Sequence, residues 1–178
     1  MQLNIQPLTP ETLSFYGSHD YNYAGDCGYD LGLAEDTKVY FKATNKIDLQ
    51  VIITSSETTT DVSYNGINFE ETQFLHYAII PRSSIIKYPY RQSNGIGLID
   101  KNYRGSLCAA IDYLDLLTEI QPQKYVEKET GRIYSVIEKG TRLFQLVPFC
   151  FHQIESKQIV DSHDATERDS NGFGSTGA

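Results

Sequence analysis

The sequence predicts an all-β fold of the barrel or sandwich type. Segments rich in branched and aromatic residues alternate with clusters of Gly, Asn, Ser and Thr, which is the spacing of strands and turns. Stretches with helical periodicity are scarce. The chain has 178 residues, enough for one domain or for one domain with a tail. Together these observations favour a single all-β domain.

Four segments have the strongest strand signals. They cover residues 49–53, 74–80, 132–137 and 142–154. In the last segment, alternate residues from Leu143 to Phe151 point to one side, and all but Gln145 are apolar. That face is therefore expected to lie in the core, with Gln145 as its polar exception.

The remaining segments are less regular. Residues 107–120 form the only segment that could be helical, and it could equally begin as a strand after the turn at Gly105. From Asp161 onward the chain becomes polar, and composition alone would make this part a frayed tail.

Composition and charge exclude some functions. The formal net charge of −8 disfavours a long nucleic-acid footprint. The three cysteines and four histidines show no metal-ligand spacing, so we expect free, buried thiols rather than a zinc site or disulfides. No basic stretch followed by an apolar run is present at the start, and we expect no secretion signal and no membrane span. The protein is expected to act inside a cell, in the cytoplasm or the nucleus, and a viral or phage origin fits as well.

The C-terminal segment from Arg168 to Gly177 has the composition of an anion-binding loop. Its glycines let backbone N–H groups approach an anion, while Ser175, Thr176 and Arg168 add donors. Phe173 is discordant in so polar a tail and suggests stacking on a flat group. The spacing is not that of a Walker P-loop, and a frayed glycine-rich terminus remains the alternative for this segment alone.

Four shorter motifs add candidates. In residues 97–105 an acid follows an apolar strand end, as at the tip of a hairpin, although a simple turn explains it too. In residues 81–85 a cation and two hydroxyls could hold phosphate oxygens, although Arg-Ser is common at strand ends. Residues 28–31 alone suggest a turn entering a strand. Within residues 140–146, Gln145 is either a satisfied buried amide or a ligand-binding one.

In this order the five motifs resemble those of the homotrimeric dUTPase (deoxyuridine triphosphate nucleotidohydrolase) family, from about residue 24 to the C terminus. The resemblance implies a β jelly-roll of the β-clip type over residues 1–160, with an insertion at roughly 115–132. It also implies a threefold trimer and a flexible arm of residues 161–178. In the family, one subunit supplies motifs one, two and four, a second motif three and a third motif five. The arm would therefore close over a neighbouring subunit's site.

The resemblance implies hydrolysis of dUTP to dUMP and pyrophosphate, which keeps uracil out of DNA and supplies dUMP for thymidylate synthesis. Asp100 is similar to the catalytic aspartate that orients the attacking water, and Asp30 to an acid that supports the site from behind. The residues matching uracil and deoxyribose contacts are Asn94, Gly97, Tyr103 and Phe173. The residues matching phosphate contacts are Arg82, Ser83, Ser84, Gln145, Arg168, Ser175 and Thr176.

The implied cofactor is Mg²⁺, held by the triphosphate and water rather than by protein ligands. The implied partners are dUTP and two further copies of the chain, with no nucleic acid and no membrane. One departure from the family is Asp169, which stands where a glycine usually follows the arginine and is expected to weaken arm closure.

Two alternative functions stay open. A dCTP deaminase shares the jelly-roll and an Arg-Ser-Ser segment, but that family uses a glutamate in the central hairpin and lacks the glycine-rich tail. The other alternative is a non-catalytic dUTPase-like protein that binds or regulates a partner.

Overall fold

Strands dominate the protein. The structure, a computed structural model, describes residues 1–19, 25–64, 67–149 and 153–172, with only the backbone described for residues 60–64 and 67–70. The strands are β1 Gln2–Pro7, β2 Tyr29–Leu31, β3 Thr37–Tyr40, β4 Thr44–Asp48, β5 Val51–Tyr64, β6 Ile67–Leu75, β7 Tyr77–Pro81, β8 Tyr90–Gln92, β9 Gly97–Ile99, β10 Cys108–Tyr113, β11 Tyr125–Val126, β12 Ile133–Ile137, β13 Phe144–Pro148 and β14 Ser156–Ile159. The helices are α1, Pro10–Ser18, and a 3₁₀ helix, Ser83–Lys87.

The described strands form four small sheets. Their strand orders are β14-β1-β5-β6, β4-β10-β8, β11-β12-β3 and β2-β13-β7-β9. Only the β1–β14 pair is parallel among the described pairs, and the other pairs are antiparallel. The predicted all-β fold is confirmed.

The core lies between these sheets and is built from alternate strand residues. In β1, Leu3 and Ile5 are fully buried while Gln2 and Asn4 are partly exposed, as a half-buried strand requires. Tyrosines contribute much of the remaining core volume. The fully buried ones are Tyr16, Tyr29, Tyr77, Tyr90 and Tyr113.

Of the two alternatives left open for residues 107–120, helix or strand, the structure shows the strand. Residues 108–113 of the candidate helical segment form strand β10, and the α-helix lies at Pro10–Ser18 instead. A local capping box explains its position: the Thr9 hydroxyl accepts from Thr12 N–H at 3.2 Å, and Thr12 Oγ1 accepts from Thr9 N–H at 3.0 Å. Pro10 at the first turn adds a favourable φ.

The predicted core face of residues 142–154 needs correction. Phe144 and Leu146, which alternate with Gln145, are fully buried, so β13 is covered on both faces. Phe149 is 48% exposed because β13 ends at Pro148, and Phe151 lies outside the described residues.

Three smaller features complete the fold. Cys27 is exposed and Cys108 half-buried, both as free thiols, so the prediction of buried thiols is wrong for Cys27, while Cys150 is not described. Within the described ranges, no helix is both long enough and apolar enough to cross a bilayer. Strand β11, which lies within residues 115–132, pairs with β12 and adds a third strand to the β12–β3 pair.

Candidate active site

Strand β7 positions candidate residues at both of its ends. Its antiparallel ladder with β9 pairs Tyr77 with Ile99 and Ile79 with Gly97. Asp100 therefore emerges beside the start of β7, and Arg82 follows directly after its end. The two ends carry separate clusters of polar side chains.

The first cluster surrounds the Asp100 carboxylate. Arg168 Nη1 lies 2.6 Å from Asp100 Oδ2, and His76 Nδ1 lies 3.4 Å from Asp100 Oδ1. About a third of the Asp100 side chain is exposed, so the carboxylate is open to water between these neighbours. A group placed here can accept a proton from a water molecule.

Tyr103 is held rigidly next to this carboxylate. Its N–H donates to the Asp100 carbonyl at 2.9 Å, closing a turn, and its hydroxyl donates to the Ser106 carbonyl at 3.0 Å. A Cβ on Gly105 would overlap that hydroxyl, so the ring occupies space that only glycine leaves open. Burial raises the pKa of Tyr103, with Cys108 and Asp48 adding to the effect, so the phenol stays protonated and neutral.

The start of the C-terminal arm packs against this same hairpin. Arg104 N–H donates to the Asp169 carbonyl at 2.8 Å, and the buried Arg104 guanidinium donates to the carbonyls of Lys101 and Asp164 at 2.8 and 3.2 Å. Asp169 also bridges to Tyr103 with φ of 44°, a left-handed conformation. Within this single chain, the arm therefore contacts its own hairpin.

A cavity of about 180 Å³ opens between the hairpin and the arm. It brings together four predicted hairpin residues, Asn94, Gly97, Asp100 and Tyr103, and one predicted arm residue, Arg168. Cys108 also lines the cavity, and burial raises the pKa of its thiol, which is therefore protonated at neutral pH. The cavity combines an acid, a cation and an aromatic ring, as a nucleotide site does.

The second cluster is centred on buried Asp30. Arg82 Nε lies 2.7 Å from Asp30 Oδ1, and Arg142 Nη1 lies 3.0 Å from Asp30 Oδ2. Arg82 also donates to the Arg142 carbonyl at 3.2 Å. Gln145 pairs with Asp30 across β13 and β2, and a Cβ on Gly28 would overlap its side-chain amide. Two guanidinium groups around one carboxylate leave one net positive charge at this end of β7.

The hydroxyl residues of the second motif lie beside this cluster. Ser83 and Ser84 begin the 3₁₀ helix directly after Arg82; Ser83 is exposed and Ser84 partly buried. Among the described residues, neither is brought to the cavity beside Asp100.

The two clusters do not meet within one chain. His76, next to Asp100, and Arg82 are six residues apart along an extended strand. At roughly 3.3 Å per residue this is about 20 Å. Phe173, Ser175 and Thr176 lie outside the described residues, so their predicted contacts are not placed.

Sequence reasoning missed His76 and Arg142. Arg142 lies within the fourth motif, but its role depends on the register between β13 and β2, which no local pattern reveals. His76 lies inside the predicted strand of residues 74–80, and only the β7–β9 register brings it to Asp100.

Comparisons with known proteins give a consistent result. The chain is 30% identical over 177 residues to the deoxyuridine 5′-triphosphate nucleotidohydrolase of Tolumonas auensis, covering 99% of this chain and 97% of that protein. Its fold matches that of a mutant of the Staphylococcus bacteriophage 80alpha dUTPase solved with dUpNHpp, with a TM-score of 0.54, 22% identity and coverage of 99% and 98%. It also matches a dUTPase mutant from phage phi11 of S. aureus, described with a structural Mg(II) ion, with a TM-score of 0.54, 20% identity and coverage of 88% and 95%. No profile of a protein family matches the chain.

Proposed function

This chain belongs to the deoxyuridine 5′-triphosphate nucleotidohydrolase (dUTPase) family, and on that premise we propose that it hydrolyses dUTP to dUMP and pyrophosphate. The observation that carries the site assignment is the cavity that joins the Asp100 carboxylate, the Tyr103 ring and the Arg168 guanidinium. Removing dUTP keeps uracil out of DNA, and the dUMP formed feeds thymidylate synthesis. Because its substrate is an intracellular nucleotide, the enzyme is expected to work inside a cell.

Asp100 is the proposed catalytic residue. Its carboxylate accepts a proton from the water that attacks the α-phosphorus. The oxygen now paired with Arg168 becomes available when the arm moves to a neighbouring subunit, where Arg168 is proposed to hold the phosphates. Arg168 suits this exchange because its Nε, buried from solvent, has no hydrogen-bond partner among the described residues. A guanidinium with open donors binds phosphate oxygens well.

Tyr103 is the proposed selector of deoxyribose. Its ring is fixed between the hairpin backbone and the arm, where a Cβ on Gly172 would lie 3.2 Å from the ring. A rigid ring under the sugar leaves no room for a 2′-hydroxyl. Asn94 and the backbone at Gly97 line the same cavity and are the proposed contacts to uracil, with Phe173 stacking on the base.

The Asp30 cluster is the proposed phosphate grip. Asp30 is 4% exposed and fixes both guanidinium groups from behind, so Arg82 and Arg142 are oriented before a ligand arrives. Ser83, Ser84 and Gln145 stand beside them as neutral donors. Ser175 and Thr176 are the proposed arm contacts to the terminal phosphates.

The active enzyme is a proposed homotrimer. Asp100 is proposed to act at the α-phosphorus and Arg82 to hold the phosphates of the same nucleotide, and a separation of about 20 Å within one chain is too long for both. A second copy can bring its own Asp30 cluster to the cavity. Apolar side chains beside Asp100 support burial by another subunit: Leu98 is 61% and Phe149 48% exposed, and both line a depression next to this carboxylate.

The arm is proposed to act between subunits. Residues 161–178 form it, and residues 1–160 form the jelly-roll body with the insertion at roughly 115–132. Every copy carries the same hairpin, so the surface that receives the arm in one chain is present on its neighbours.

Mg²⁺ is the proposed cofactor. Among the described residues, no cluster of three or more His, Cys, Asp or Glu side chains could form a preformed cage. This fits an ion carried by the triphosphate, since Mg²⁺ keeps several waters and binds phosphate oxygens. When bound, the ion would supply charge neutralisation on the leaving pyrophosphate, and Arg82, Arg142 and Arg168 would hold the chain of phosphates.

One assay tests the proposed reaction against its rivals. Purified protein with Mg²⁺ is given dUTP or dCTP, and pyrophosphate and ammonia are measured. Pyrophosphate from dUTP alone supports the proposal, and ammonia from dCTP would assign a deaminase instead. No product from either nucleotide would favour a binding protein. The hairpin at residues 97–105 contains Asp100 and no glutamate, which disfavours deamination.

A further inference from the structure

His76 lies opposite the proposed catalytic acid. The β7–β9 register pairs Tyr77 with Ile99. One residue further along each of the two segments, His76 lies across from Asp100. His76 Nδ1 accepts a hydrogen bond from the N–H of Lys101, the residue after Asp100, at 3.2 Å. The same nitrogen is 3.4 Å from Asp100 Oδ1.

These two contacts differ in kind. An imidazole nitrogen that accepts a hydrogen bond uses its lone pair, so the neutral ring carries its proton on Nε2. Nδ1 then has no proton to donate to Asp100, and 3.4 Å exceeds the roughly 2.7–3.2 Å of ordinary N–H···O bonds. The contact with the carboxylate is therefore packing, and the bond to the Lys101 N–H is the directional interaction.

Building on the proposed dUTP hydrolysis, we propose that His76 is a positioning residue for Asp100. It holds the backbone directly after the acid, and its ring limits rotation of the carboxylate on the Oδ1 side. Arg168, which contacts Oδ2, belongs to the arm that is proposed to act between subunits, whereas His76 belongs to the body and stays beside Asp100. An error of about 1 Å in placing a catalytic group can reduce the rate 100-fold.

The fold does not depend on this side chain. Half of the His76 side chain is exposed. The start of β7 is held by Tyr77, which is 1% exposed and donates its hydroxyl to the Ile53 carbonyl at 2.7 Å. Replacing His76 should therefore change the hairpin locally and leave the domain folded.

Three substitutions at His76 separate the possible roles. His76→Ala removes both acceptor and ring, His76→Phe keeps the ring without an acceptor, and His76→Asn restores an acceptor oxygen near the position of Nδ1. We expect Ala and Phe to lower kcat for dUTP by roughly 10- to 100-fold with KM within about twofold. Asn should recover most of the lost kcat. The affinity for the non-hydrolysable α,β-imido analogue of dUTP, measured by calorimetry, should stay unchanged.

Gln73→Ala is the matched control, since Gln73 is exposed on β6, the strand that precedes His76 in the chain, and lines no cavity near Asp100. A His76→Ala enzyme with wild-type kcat would overturn the inference. If His76→Phe kept the wild-type kcat and His76→Asn did not, His76 would act by packing alone, which contradicts the inference. If analogue affinity fell as much as kcat, the substitution would have disrupted the whole site, which also contradicts it. If the unaltered protein releases no pyrophosphate from dUTP, the proposed function itself fails, which is a separate outcome.

Discussion

The two oxygens of Asp100 face different neighbours, and this asymmetry shapes its chemistry. Oδ2 pairs with Arg168 on the arm, and Oδ1 faces the His76 ring on the body. Arm movement therefore changes what the carboxylate contacts. Binding and turnover should respond differently when this one side chain is altered.

Asp100→Asn should lower kcat for dUTP by at least about 100-fold, because an amide cannot take the proton of the attacking water. Affinity for the α,β-imido analogue should remain, since the amide has nearly the same shape. Steady-state kinetics and calorimetry check the two halves. A large loss of affinity would contradict the water-orienting role.

Asp169 places a negative charge next to Arg168, the arm residue that is proposed to contact the phosphates. Its contacts to Arg104 and to Thr166 Oγ1 are made by its backbone, so Asp169→Asn keeps them and removes only the charge. Asn also tolerates the φ of 44° at this position. We expect KM for dUTP to fall by roughly two- to fivefold, as one partly screened charge allows. The gain should vanish at high salt, and a gain that persists there would show another cause.

At the scale of elements, the hairpin and helix α1 show what a sequence reveals. The 97–105 motif was recognisable because its residues are neighbours in the chain and act together. Helix α1 escaped because it is nine residues long and its capping box uses Thr12 where Glu or Gln is usual. The Asp30 cluster escaped in part because Arg142 reaches Asp30 only through the strand register of β13 and β2.

Gly105→Ala should disturb the hairpin at its closest approach. The added Cβ would overlap the Tyr103 hydroxyl, so the ring must move away from the sugar position. We expect kcat/KM for dUTP to fall by roughly 10- to 100-fold, and the preference for dUTP over UTP to shrink. Gly17→Ala in α1 is the control, since a Cβ there meets nothing within 4 Å. An unchanged preference for dUTP would exclude Tyr103 as the selector.

Thr9→Ala should weaken helix α1 without touching the site. The loss of the side-chain acceptor for Thr12 N–H costs about 1 kcal/mol of unfolding free energy. For a domain of this size that lowers Tm by about 2–4 °C. Thermal unfolding by circular dichroism measures the shift, and Ser14→Ala on the exposed face of α1 should show no loss. Reduced dUTP turnover in Thr9→Ala would contradict the separation of helix and site.

At the scale of the whole molecule, strand β7 separates the parts of the site. The acid lies at one end and the phosphate grip at the other, about 20 Å apart along an extended strand. The motifs were recognisable in the sequence, but their separation depends on how strands pair. A shared site is the arrangement in which both clusters contact one nucleotide.

A mixing experiment tests whether the site is shared. Asp100→Asn and Arg82→Ala each impair every site in a pure trimer. When equal amounts are unfolded together and refolded, a site built from the Asp100 of one chain and the Arg82 of another receives both intact residues in about a quarter of cases. Pyrophosphate release from dUTP should therefore recover to about a quarter of the wild-type rate. If both residues of each site came from one chain, no mixed trimer would contain an intact site, and the mixture would stay as inactive as its parents.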